Sequence, residues 1–155
     1  MKRALTFVLS VVVLAGCRRT AVGPEPGAEA PQLAVQQFLA AAKGQDLQAM
    51  SAVFGTAEGP LRDRAPRQEV ERRMIIMTCH LRHDESRIGA PQSGEGGRVS
   101  FRVDLTQGTK TAAPVFKTVK ATRSGRWFVE EFDLVAVRSF CGSSQTPPTD
   151  ASAPR

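Results

Sequence analysis

Near His83 the spacing of apolar residues switches from a helical repeat to an extended one, and this switch constrains the fold more than any other feature of the chain. Upstream, Val35, Phe38, Leu39 and Ala42 stand at i, i+3, i+4 and i+7, one face of a helix. Gly44, following Lys43, ends that helix. Asp46 suits the cap of a second, short helix whose Leu47, Met50 and Phe54 share a face. "GTAEGPLRDRAP" reads as a loop, and Pro66 suits the first turn of a third helix. There Val70, Met74, Met77 and Leu81 recur at i, i+4, i+7 and i+11, and Ile75 and Ile76 widen the stripe. This helix is therefore expected to be well buried. Downstream, "RVSFRVDLT" alternates, with Val99, Phe101, Val103 and Leu105 on one face and Arg98, Ser100, Arg102 and Asp104 on the other. "VFKTVKATR" reads as a strand that turns at Ser124-Gly125 into "RWFVEEFDLVAVRSF". That last run changes phase between Val129 and Phe132, so a β-bulge is expected near Glu130 and Glu131. A weaker strand is expected over residues 85–90, with "PQSGEGG" as its turn. Helices first and strands afterwards make an α+β domain, its N-terminal helices packed on a curved four-stranded antiparallel sheet.

The two ends read differently. "MKRALTFVLSVVVLAGC" has a basic start at Lys2 and Arg3, an apolar run too short to span a bilayer, and small residues at Ala15 and Gly16. This is the anatomy of a secretory signal. Its ending, Leu14-Ala15-Gly16-Cys17, resembles the bacterial lipobox. The resemblance implies that residues 1–16 are a signal peptide and that Cys17 is the lipidated first residue of the mature protein. The membrane would then be a partner through the lipid anchor, each buried methylene contributing about 0.8 kcal/mol. The absence of an aspartate at Arg18 favours the outer over the inner membrane of a bacterial cell envelope under the proteobacterial sorting scheme. Residues 17–31, rich in Gly, Pro, Ala and Glu, read as a flexible linker, and residues 142–155 as a disordered tail. A single domain is left at 32–141. The formal charge is +6, but the basic residues are scattered and carry no nucleic-acid motif, so no nucleic-acid partner is expected.

The element order, the opening "AVQQFLAAAKGQDLQAM" and the late "SGRWFV" hairpin resemble the nuclear transport factor 2-like, or cystatin-like, superfamily. That resemblance implies a cone with a pocket between sheet and helices, and no single activity.

"TCHLRHDE", residues 78–85, holds both histidines of the chain, a cysteine and two acids. In an oxidising compartment Cys79 and Cys141 are expected to pair. Cys79 ends the third helix just before the first strand and Cys141 follows the last, and in a four-stranded meander those points share one rim of the sheet. Closing that loop stabilises the fold by about 4 kcal/mol on the chain-entropy model. With Cys79 bridged, His80, His83, Asp84 and Glu85 remain, and a turn from helix to strand makes them diverge, so no metal site is expected. No catalytic residue and no cofactor are expected either: nucleophile elbow and phosphate loop are both missing. The expected function is a noncatalytic binding or scaffold module for an envelope protein or small ligand. The alternative is a small enzyme of the ketosteroid isomerase type, with Glu131 or Asp133 as an inward-facing base. Against it, the chain contains no tyrosine to serve as oxyanion donor. Phe101, Phe116, Trp127 and Phe128 are expected to fill the cone or to line a pocket within it.

Overall fold

The computed structural model describes residues 25–142. The leader, Cys17, the linker up to residue 24 and the tail from residue 143 lie outside the described residues, and with them the expectations on lipidation and tail disorder. The described part is an α+β fold of three α-helices and a mostly antiparallel sheet. No helix among the described residues is long and apolar enough to cross a membrane.

Helix α1, Pro31–Lys43, starts on a proline, which has no N–H to leave unpaired. Its end is closed by the Gly44 N–H donating to Ala40 O at 2.9 Å. Its apolar stripe is buried as Val35, Phe38, Leu39 and the alanines around them. Asp46 accepts from the Ala49 N–H at 2.9 Å and caps α2, Leu47–Val53. A two-residue ribbon of β1, Gly55–Thr56, and β2, Gly59–Pro60, leads towards α3, Arg67–His80. In the ribbon Glu58 accepts from the Thr56 hydroxyl and from Arg64, which together hold its carboxyl down at about 2.

The main sheet contains β3, Glu85–Ser93; β4, Val99–Gln107; β5, Lys110–Ala112; β6, Val115–Lys120; and β7, Trp127–Phe132. Their order is β3-β4-β6-β7, with β5 also on β4. Five strands replace the four expected, and the reason is Pro114. Leu105 pairs with Ala112 and Phe101 with Phe116, so β5 and β6 form one hairpin arm along β4. Pro114 has no N–H for the ladder and interrupts the arm, although its carbonyl still accepts from the Val103 N–H at 2.9 Å.

The bulge falls where the phase change placed it. Val129 pairs with Thr118 and Glu131 with Lys117, leaving Glu130 as the extra residue. The strand does not run on to Phe140 as expected. It stops at Phe132, because the Asp133 carboxylate accepts from the Val135 and Ala136 N–H groups at 3.0 and 3.2 Å and turns the chain. Val137 and Phe140 re-enter the core.

Phe38 is fully buried, with ring centroids of Phe54, Phe116 and Phe132 at 5.7–6.4 Å. Phe116 and Phe132 stack at 5.3 Å. Phe101, Val103 and Leu105 from β4 complete the sheet side of this core. The fold also reaches upstream of residue 32 into the stretch read as linker. The Gly27 N–H donates to Ala52 O at 2.8 Å, and buried Ala28 pairs with Trp127. Gly27 is required there: its φ is +84°, and a Cβ would sit 2.7 Å from the Phe128 ring.

The largest departure is α3. Only Val70, Met74 and Thr78 are buried, while Ile75 and Ile76 are 57% and 50% exposed. The helix packs chiefly on α2, itself only two turns long, so one narrow stripe finds a partner and the broader one does not.

Candidate functional site

The busy corner at residues 78–85 resolves into structural roles. Cys79 and Cys141 form a disulfide with Cα atoms 5.0 Å apart, tying the last turn of α3 to the segment after β7. His83 is buried, with Nδ1 2.7 Å from Leu81 O, and His80 Nδ1 is buried without a hydrogen-bond partner. The Asp84 carboxylate accepts from the Gly108 N–H at 2.7 Å, and its backbone oxygen accepts from the Lys43 ammonium. Glu85 is exposed at the start of β3. These side chains diverge, and no group of three or more His, Cys, Asp or Glu that could hold a metal occurs among the described residues.

The two acids considered as inward-facing bases are both at the surface. Glu131 is exposed and pairs with Lys117 at 2.5 Å across β6 and β7. Asp133 is exposed and its carboxylate is committed to the turn after Phe132. The bulge residue Glu130 receives Arg98 through two contacts, Nε–Oε2 at 2.5 Å and Nη2–Oε1 at 2.8 Å. These hydrogen bonds raise the Arg98 pKa above its ordinary value.

What the sequence reading missed lies beside these acids. A cleft of about 420 Å³ opens between α3 and β7, floored by Phe54, Ile76, Met77, Phe132 and Leu134. Glu69, Arg72, Arg73, Glu130 and Glu131 form its rim. The apolar floor exists because α3 leaves Ile76 half out of contact and because the turn at Asp133 brings Leu134, 44% exposed, back beside the strand. The rim acids are compensated: Glu69 by Arg73 at 3.4 Å, Glu130 by Arg98, Glu131 by Lys117. Arg72 forms no ion pair among the described residues. The signal in the sequence was the adjacent pair Ile75 and Ile76. Two neighbouring apolar residues on a helix lie about 100° apart and need a wide partner to bury both.

Such a site can bind an apolar group and orient it with charge at the edge. It offers no carboxylate in a dry pocket, the environment that raises an acid to the pKa of a general base. No family model, curated protein or solved structure matches the chain. Fold and cleft therefore define only a class: a small disulfide-tied α+β domain with an aromatic core and an apolar cleft between a helix and the last strand of its sheet.

Proposed function

We propose that the chain is a lipid-anchored protein of the bacterial cell envelope, held through Cys17 in the outer membrane, whose domain is a noncatalytic binding or scaffold module. The anchor rests on the likeness of Leu14-Ala15-Gly16-Cys17 to the lipobox. The domain is a variant of the cystatin-like cone in which Pro114 divides one strand and phenylalanine rings occupy the interior. The observation that carries the binding reading is the apolar cleft over Ile76, Phe132 and Leu134, whose rim acids are each engaged in an ion pair.

Two measurements test this. Cys17→Ser should abolish labelling by a metabolic acyl probe and leave uncleaved precursor; equal labelling of variant and wild type rejects the anchor. A photo-crosslinking side chain at position 76 should give discrete adducts in cells. The same group at position 75, equally exposed but outside the cleft, should not. Identical patterns from both positions reject the cleft as the binding site.

A further inference from the structure

We propose that the cleft takes a short extended peptide, with alternating apolar side chains and one acidic residue, which adds as a strand to the outer edge of β7 opposite α3. This rests on the binding-module reading and names its ligand class.

The first support is the strand edge. β7 closes the sheet, and its outer side is bridged by Ala28 at Trp127 and by Phe54 at Val129. Beyond Val129 no strand or bridge covers that side among the described residues. Glu130, Glu131 and Phe132 all line the cleft. Successive side chains of a strand point to opposite faces, and a bulge redirects one residue and not three, so the cleft is facing the edge of the strand. An uncovered edge is a template for an added strand, with main-chain hydrogen bonds supplying affinity and pockets for alternate side chains supplying selectivity.

The opposite wall fits such a ligand. Ile76 and Met77 on α3, with Leu134 beyond the turn, offer apolar surface to the side chains that an added strand would direct at the helix. Charge gives polarity to the match. Glu69, Glu130 and Glu131 each have a basic partner, whereas Arg72 stands on the rim without an ion pair among the described residues. An acidic side chain on the helix-facing side of the peptide complements it. Size selects a short segment over a second copy of the domain. About 420 Å³ holds a few side chains. A bulge at Glu130 blunts the edge against the long flat pairing that joins whole sheets.

The test uses the full chain as purified and fluorescence anisotropy with a labelled peptide, Val-Thr-Asp-Thr-Val-Thr, whose two valines and aspartate share one face of a strand. Two further versions of it carry N-methyl groups on one or the other set of alternate backbone amides. A strand uses the amides of only one edge, so one methylated version should bind like the parent and the other should not. Ile76→Asp should abolish binding, while Ile75→Asp, outside the cleft, should leave it unchanged. Replacing Asp by Lys in the peptide should weaken binding about tenfold, and Arg72→Glu should reverse that preference. Equal binding of both methylated versions overturns strand addition and leaves the cleft as a side-chain site. Absence of binding by every peptide overturns the proposal, while the crosslinks from position 76 still decide separately whether the cleft binds anything. A concentration-dependent dimer in sedimentation that Ile76→Asp abolishes also overturns it, because a second copy then fills the cleft.

Discussion

Helices α1 and α3 each show apolar residues at helical spacing in the sequence, α3 among many more charged neighbours, and the fold treats them in opposite ways. α1 lies across the main sheet and buries Val35, Phe38, Leu39 and the three alanines Ala34, Ala41 and Ala42 against β6, β7 and α2. α3 touches α2 along Val70, Met74 and Thr78, and is tied at its last turn by the disulfide. Ile75 and Ile76 remain outside. A helical repeat states which residues share a face; it does not state how wide the partner is. A sheet covers a broad face, whereas a two-turn helix covers a seam.

The sharpest contrast is expected from Phe38→Ala. It removes the ring around which Phe54, Phe116 and Phe132 pack, and should cost about 3–5 kcal/mol in chemical denaturation. A loss below about 1 kcal/mol would mean that the aromatic core is not the main support of α1. Replacing both Cys79 and Cys141 by Ser should cost about 2–4 kcal/mol. Hydrogen exchange should then accelerate along α3 while α1 keeps its protection; uniform acceleration would show that the two helices open together. Ile75→Ser and Ile76→Ser should each change stability by no more than about 0.5 kcal/mol, whereas Leu39→Ala should cost about 2–5. Large losses at both isoleucines would place α3 in the core after all.

The smallest effect concerns the entry to α3. Thr56 and Arg64 hold the Glu58 carboxyl at about 2, below its unfolded value. A depressed carboxylate contributes stability that is fully present above the unfolded pKa and is lost as pH falls through the folded one. The contribution of this group should therefore fade between the ordinary glutamate range and about pH 2. Carboxyl NMR should place the Glu58 midpoint near 2, and Arg64→Ala should raise it. A wild-type midpoint in the ordinary glutamate range would show that the contacts are not populated in solution.

Much of the frame was legible from particular residues. Alternation over Val99–Leu105 located the central strand, and the phase slip between Val129 and Phe132 located the bulge, because side-chain period is a local property of extended chain. The pairing of Cys79 with Cys141 followed from where a meander begins and ends. The split at Pro114 was readable in principle, since a missing N–H is a property of one residue, but the strand was taken to begin after it. The stop at Phe132 was harder. Asp133 looks like an outward-facing strand residue until its carboxylate is seen on two backbone N–H groups.

The cleft was not legible, and its parts show why. Ile76 belongs to α3, Phe132 and Glu130 to β7, Leu134 to the turn beyond it, and Phe54 to the end of α2. By itself the sequence determined the period of each element, the order of helices before strands and the positions where the backbone must turn or skip, all of which depend on covalent geometry and near neighbours. Only the tertiary structure decided which apolar residues lacked a partner, because burial depends on the width and placement of an opposing surface from elsewhere in the chain. The exposed edge of β7 and the unburied side of α3 are each ordinary alone, and become the walls of a cleft only through the packing that sets them face to face.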